Sequence, residues 1–424
     1  MYLSVFSGGF ALADAEAIFA RSFTEKSMPE LLTLLLDKSL IRRVANISGE
    51  DQYEMLVTIQ DYARERLKES GEETEIRNRH LAYFLDVAKK ADKELYGHNQ
   101  LEWLVRLRAT RENLRAALDW ALETKQTELA LQMALKLDWF LHICSDHVEA
   151  AQSLLRVLDL QDVSSYPQAH AEALAQLQHH KHLLGDHFAA QIEKGGVIPY
   201  AEQALAIART HNDVHNSARA LSMIGLNLVV EKNFAEAKPI LEESGSLFQQ
   251  ARDEWGHAYV VMLLGWMSFV QNDLASALPV LEQASAIFEK LGERYFMCVC
   301  LRYIGIIKIR LGDIKQGVEA LRDSLTLAHQ LGSKYEIAAA FFRWGQAAQY
   351  LGSPARTVTL FWAAKNAHET IAVGVWTQGL DAEFETVLAH CRAELGEEAF
   401  AEAVERGRAM TMEQAIAYAL EENR

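Results

Sequence analysis

The chain has 424 residues, half of them hydrophobic, with only 6 prolines and a formal net charge of −16. The apolar content supports a sizeable core, and the scarcity of proline beside abundant Ala, Leu and Glu favours helix almost throughout. The negative charge repels phosphate backbones, so no direct nucleic-acid binding is expected.

No apolar run approaches the roughly 18 residues of a membrane span. The opening Met1-Tyr2-Leu3-Ser4-Val5-Phe6 has no basic segment followed by a long apolar stretch, so neither a membrane anchor nor a signal peptide is expected. Cys144, Cys298, Cys300 and Cys391 form no CxxC, and in a helix Cys298 and Cys300 point to different sides. This pattern predicts a reduced, cytoplasmic protein with structural thiols.

In chain order, residues 1–70 begin with two short helices, predicted over 14–21 and 29–38. Two strand-like runs follow, 39–44 and 52–56. The loop between them contains Asn46 and Gly49, which predicts a hairpin. A helix over 58–70 completes the order helix, helix, β-hairpin, helix, that of a winged-helix domain, here partial. Residues 71–165 read as a helical linker and the first helical hairpins, one of them over 129–158.

From 166 to 370 the spacing carries the information. Gly225, Gly265, Gly305 and Gly345 lie 40 residues apart, and Ala237, Ala277, Gly317 and Thr357 follow each by 12. Turn signals keep the same phase at Lys232-Asn233, Asn272-Asp273, Gly312-Asp313 and Gly352-Ser353. A second set falls at Arg252-Asp253, Gly292-Glu293 and Gly332-Ser333. This predicts one helical hairpin per period, with its two helices crossing closely where both residues are small. Apolar residues at helical spacing, such as Leu263, Leu264, Leu274, Leu278 and Leu281, fill the rest. Such a hairpin buries its apolar face only by stacking on its neighbours. A degenerate unit over 169–213 precedes the four, with a turn at Gly185-Asp186, an insertion over 191–199 and a second helix from Tyr200. Residues 371–424 read as two capping helices, the last begun by Thr411 and Gln414 in a capping-box pattern. The expected fold is mainly α, an α-solenoid of hairpins with a period of about 40 residues.

Two resemblances follow from these residues. The Gly and the small residue 12 positions later resemble the tetratricopeptide family, whose repeat is about 34 residues long. The longer period here implies longer helices and leaves a HEAT-like array as the alternative. The strings Leu3-Ser4-Val5-Phe6-Ser7-Gly8-Gly9-Phe10, Leu35-Leu36-Asp37-Lys38-Ser39-Leu40 and Tyr53 through Ala63 resemble the winged-helix segment of bacterial STAND-class NTPase regulators of LuxR-like and AfsR-like type. Arg111-Glu112-Asn113-Leu114 through Glu123 resembles their helical linker, and Gly396 through Ala415 their end. The resemblance spans nearly the whole chain. It implies a sensor region that receives a signal and controls an NTPase domain. That domain would precede the winged helix. No GxxxxGK[ST] phosphate loop occurs here, so neither ATPase activity nor a cofactor is expected.

Catalytic signatures are missing from the sequence: there is no GxSxG elbow and no GxGxxG after a strand. Glu242-Glu243 and Glu397-Glu398 read as solvated helix faces. His179, His180, His182 and His187 with Asp186 could offer a metal two imidazoles at i, i+3, but a solvated helix end explains them as well, and no metal site is expected. His211 and His215 fall on a turn. The groove of a tetratricopeptide array is lined by the first helix of each hairpin. Counting from each Gly selects Arg219, Tyr259, Met262, Trp266, Phe269, Arg302, Arg310, Phe342, Gln346 and Tyr350 as groove candidates, with Ser222, Ile306 and Gln349 beside them. Aromatic and Arg side chains suit a protein, a peptide or a small anionic inducer. The expected function is therefore signal reception in a regulator. A free-standing adaptor between proteins is the alternative.

Overall fold

A computed structural model describes residues 1–19, 27–45, 51–185, 199–369, 371 and 377–421. It divides into two compact units. One comprises Met1–Leu95, Asn99–Phe140 and Asp159–Ser165; the other comprises Tyr96–His98, Leu141–Leu158 and Tyr166–Arg424.

The first unit starts with a short 3-10 turn and β1 (Phe10–Ala11). Then come α1 (Leu12–Phe19), α2 (Met28–Asp37), β2 (Ile41–Ala45), β3 (Asp51–Met55), α3 (Val57–Glu69), α4 (Glu73–Glu94) and α5 (Gln100–Glu123). The helix–helix–hairpin–helix order matches the sequence expectation; the tip of the hairpin, with Asn46 and Gly49, lies outside the described residues. The three strands are antiparallel in the order β1-β3-β2, with Ile41 opposite Met55 and Phe10 opposite Tyr53. The strand β1 was not foreseen, because two residues are too short for alternation to register. Ser27 caps α2 and its N–H donates to Glu30 Oε2 at 2.9 Å, the reciprocal capping box.

Packed rings form the centre of this unit. Phe6 stacks on Phe10 at 4.3 Å between centroids, with Phe19 and Phe84 edge-on to Phe6. Asn113, buried on α5, ties the N-terminal segment to the linker helix. Its Nδ2 donates to the Gly9 carbonyl at 2.8 Å and its Oδ1 accepts from the Ser7 N–H at 2.8 Å. Two peptide groups that β1 leaves without sheet partners are satisfied in this way.

The second unit is built of hairpins. After the end of α6 (Thr127–Ile143) come α7 (His147–Leu158), α8 (Pro167–Leu184) and α9 (Tyr200–Thr210). The periodic part follows: α10 (Val214–Val230), α11 (Phe234–Gln250), α12 (Glu254–Val270), α13 (Leu274–Leu291), α14 (Arg294–Arg310), α15 (Ile314–Leu331), α16 (Lys334–Tyr350) and α17 (Pro354–Glu369). Then come α18 (Thr377–Ala409) and α19 (Met412–Leu420), which begins at the expected box, Gln414 N–H donating to Thr411 Oγ1 at 3.3 Å. Within each hairpin the two helices pack on each other, and each hairpin packs on the next.

The 40-residue period is two 20-residue half-periods, each a helix and a tight turn. Every twentieth residue from Asn212 to Gly352 has φ between 55° and 96°. The residue after it caps the next helix: Asp213, Asp253, Asp273, Glu293, Asp313 and Ser333 each accept a hydrogen bond from a backbone N–H of the first turn. The left-handed residue ends one helix and the acceptor begins another, so the connection needs almost no length.

The glycines occupy equivalent sites on α10, α12, α14 and α16, each facing the second helix of its own hairpin. A Cβ on Gly225 would meet Leu241 at 2.5 Å, on Gly265 Leu281 at 2.8 Å, and on Gly305 Leu321 at 2.7 Å; Gly345 faces Phe361 in the same way. Leu241, Leu281, Leu321 and Phe361 are buried in the space that these glycines leave, and Ala237, Ala277, Gly317 and Thr357 are buried at the same crossings. The fold is thus mainly α, a solenoid of tetratricopeptide-like hairpins. Among the described residues no helix is long and apolar enough to cross a membrane.

Candidate functional site

A cavity of about 460 Å³ opens across the first helices of four successive hairpins. Val229, Val230 and Lys232 come from the end of α10. Trp266, Phe269 and Val270 come from α12, Tyr303, Ile306 and Arg310 from α14, and Phe342, Arg343, Gln346 and Tyr350 from α16. His182 and His368 also line it. Much of the lining follows one helical stripe. Relative to each repeat glycine, Tyr303 and Arg343 stand at −2, Trp266, Ile306 and Gln346 at +1, and Val230, Val270, Arg310 and Tyr350 at +5. Steps of three and four keep a residue on one face, and stacking repeats the face from hairpin to hairpin.

Among the described residues the lining is cationic and aromatic, with no Asp or Glu. Arg343 is held by rings on three sides. Its guanidinium carbon lies 5.2 Å from the Phe269 centroid, 5.0 Å from that of Tyr303 and 5.4 Å from that of Phe342, and Nη1 donates to Gln346 Oε1 at 2.6 Å. Cation–π contacts of this kind keep the charge oriented with little hydration. Arg310 donates to Asn272 Oδ1 and lies over Tyr350. Among the described residues, neither Lys232 nor Arg310 has a carboxylate partner.

Arg302 differs. Its Nη1 donates to Glu336 Oε2 at 2.6 Å, and the two side chains are only 6% and 2% exposed. Burial pushes the Glu336 carboxyl up, the Arg302 guanidinium opposes that push, and the carboxylate holds Arg302 charged. The pair is neutral as a unit. The expectation that Arg302 offers the groove an available positive charge is therefore corrected: its charge is already spent on Glu336.

Of the remaining groove candidates, Trp266, Phe269, Arg310, Phe342, Gln346 and Tyr350 line the cavity with Arg302. Arg219, Tyr259 and Met262 do not. Tyr259 is buried between helices, its ring stacked on Trp255 at 5.8 Å and against Phe296 at 5.0 Å. Met262 is buried, and Arg219 donates to Glu172 on α8 at 2.7 Å. Tyr259 and Arg219 stand at −6 and Met262 at −3, nearer the helix N-terminus than most of the stripe. Sequence counting passed over Arg343 and Tyr303 because it omitted the −2 position. That position could have been found, since it precedes +1 by one helical turn.

The histidines correct a second expectation. The end of α8 is not a solvated helix end: His180 is fully buried, and α7, α9 and α10 pack on α8. His187 and Asp186 lie outside the described residues. His142 on α6 and His147 at the start of α7 join His180. One imidazole nitrogen of each lies within 4.8 Å of the other two, and His147 Nδ1 is 3.2 Å from His180 Nδ1. Burial, and then the neighbouring imidazoles, hold His142 and His147 well below the usual histidine range. His211 lies at a turn as expected, whereas His215 stands in the first turn of α10, its Nε2 2.9 Å from Asp253 Oδ2.

No family model matches the chain. Over 260 residues, 60% of this chain, it is 32% identical to proteins of Mycobacterium bovis and Mycobacterium tuberculosis that carry the description HTH-type transcriptional regulator. The chain spans 28% of the length of these curated relatives. Its structure is similar to that of a STAND protein with a tetratricopeptide repeat sensor from Pyrococcus horikoshii. The TM-score is 0.52 at 15% identity, covering 98% of this chain and 61% of that one. It is also similar to a Rap protein complexed with competence and sporulation factor, with a TM-score of 0.51 at 14% identity, covering 80% of this chain and 99% of that one. The structural likeness bears on the fold alone. The description of the curated relatives as transcriptional regulators agrees with the resemblance to a regulator read from the sequence.

Proposed function

We propose that this chain is the sensor region of a STAND-type signal-transduction regulator, and that it receives an anionic peptide or small anionic inducer in the cavity across α10, α12, α14 and α16. The observation that carries the reading is the concentration of Lys232, Arg310 and Arg343 on an aromatic wall without carboxylates among the described residues, in a chain of net charge −16. Such a site attracts and orients negative charge, and Trp, Tyr and Arg are the residue types that carry most binding energy. The volume suits a small ligand, or one or two peptide side chains. The regulatory descriptions of similar proteins, and the ligand bound by the Rap protein, support the same direction.

In the full-length context the partner would be an NTPase domain. Ligand binding would shift that domain between closed and open states in proportion to its difference in affinity for the two, about 1.4 kcal/mol for each factor of ten. The role is binding and relay rather than catalysis. A panel of short acidic peptides and of phosphorylated or polycarboxylated small molecules, screened by thermal shift against the whole chain, tests this. A ligand that stabilises the wild type should bind the Lys232→Glu/Arg310→Glu variant at least about 10-fold more weakly. A ligand that binds both equally would remove the cavity from the reading.

A further inference from the structure

We propose that His142, His147 and His180 form a binding site for one borderline divalent transition-metal ion of the Zn²⁺ class. This goes beyond the sensor reading and rests on different residues. Three imidazoles converge from three helices, α6, α7 and α8, and each is almost fully buried. In a tetrahedral zinc site with Zn–N near 2.0–2.1 Å, ligand nitrogens stand about 3.3 Å apart. His147 Nδ1 and His180 Nδ1 already lie 3.2 Å apart, and the nitrogen offered by His142 is within 4.8 Å of both.

A hydrogen bond between the two imidazoles accounts for the His147–His180 approach alone. It leaves His147 Nε2 buried with no hydrogen-bond partner among the described residues, and it does not explain why a third imidazole is drawn in. Imidazole ligands suit zinc, copper, nickel and iron, whereas calcium and magnesium want oxygen.

Two tyrosines adjoin the cluster. The Tyr295 ring lies 4.8 Å from that of His142, and Tyr295 hydrogen-bonds Glu336, the carboxylate paired with Arg302. Tyr335, which lines the cavity, sets its ring edge-on to His147 at 6.2 Å. An ion there would join α6, α7 and α8 at the back of the cavity wall.

The test uses the whole chain, stripped of metal by chelation and titrated with Zn²⁺ and, separately, with Co²⁺. The expected result is one ion per chain, a visible Co²⁺ spectrum of a low-coordinate nitrogen site, and X-ray absorption at the zinc edge showing imidazole as the main first shell. His147→Gln and His180→Gln should each weaken binding at least about 100-fold, more than the loss of an outer-shell partner costs. His329→Gln, at an exposed histidine on α15, should leave binding unchanged. If the two cluster variants fail to fold, X-ray absorption on the zinc-loaded wild type decides. Three imidazoles support the site, and a shell dominated by oxygen overturns it. Absence of saturable binding by the folded, chelated wild type overturns it too, as does undiminished affinity in folded His147→Gln.

Discussion

In the first unit, contacts occur once. Asn113 reaches Gly9 and Ser7, Tyr83 donates to Asp14 Oδ1 at 2.6 Å, and Phe6 stacks on Phe10. In the second unit, one contact recurs at a fixed interval, Gly225 on Leu241, Gly265 on Leu281, Gly305 on Leu321 and Gly345 on Phe361. A solenoid derives its stability from such near-identical interfaces, so one rule of spacing serves every hairpin. The front of the chain has no such rule, and each of its contacts needs a particular side chain at a particular place. Within the repeat, a first departure from that rule is the buried pair of Arg302 and Glu336.

The largest expected effect concerns that first departure. Arg302→Ala would leave Glu336 buried without its cation and should cost about 3–5 kcal/mol in urea unfolding. Arg302→Met with Glu336→Leu should lie within about 1 kcal/mol of wild type, because apolar packing can replace a buried pair. If Arg302→Ala costs no more than the double variant, the pair is not what holds Glu336.

A rule common to all hairpins can be broken in one. Gly305→Leu should destabilise by about 2–3 kcal/mol. The cost belongs at the upper end of overpacking because a Cβ there also meets the Gly317 carbonyl oxygen at 2.9 Å, and backbone cannot swing aside. Hydrogen exchange should show protection falling first in α14 and α15. Unchanged protection there would mean that the crossing is looser than its spacing.

In the front unit the corresponding weak point is acid. His80 is buried, its ring Nε2 3.3 Å from Asn113 Oδ1. Burial lowers its pKa to about 4, with Arg77 adding to the shift and the Asn113 hydrogen bond opposing it. A depressed folded pKa means that this stability is fully present above the unfolded value near 6.5 and is lost as pH falls towards 4. At pH 5 the loss should be about 2 kcal/mol from His80 alone. His80→Gln should flatten the stability curve between pH 7 and 5, and an unaltered slope would assign the acid sensitivity elsewhere.

The smallest effect lies in a turn. Arg252 has φ of 58° and an exposed side chain where Gly292 and Gly332 hold the corresponding place. Arg252→Gly should relieve left-handed strain of about 1 kcal/mol, offset in part by the greater freedom of glycine in the unfolded chain, for a net gain of about 0.5 kcal/mol. A loss of melting temperature would show that the arginine makes a contact worth more than the strain.

The hairpins were legible because the demands that create them are local. A residue that must take positive φ, a cap one position later and a small residue at a crossing all leave marks in the sequence at fixed offsets. Trp266, Phe269, Arg310, Phe342, Gln346 and Tyr350, counted from the glycines, come to line one cavity for the same reason. The missed Arg343 and Tyr303 lie on the same stripe, one turn before a position that was counted. The short strand β1 escaped because it exists only through its pairing with β3.

What the sequence determined by itself is the period, the helical hairpin, the close crossing and the face that each first helix presents. These follow from backbone geometry over at most some twenty residues. What only the tertiary structure decided is the state of individual polar groups on those elements. Arg302 is bound to Glu336 while Arg310 has no carboxylate partner among the described residues, although both were read as groove cations. His142 and His147 meet His180 although the visible histidine cluster lay wholly on α8 and beyond. The partners in these contacts stand 34 residues apart for Arg302 and Glu336, and 33 for His147 and His180. Nothing in the local chain marks such a pairing, because its energy comes from shared burial, and burial exists only once the hairpins have stacked.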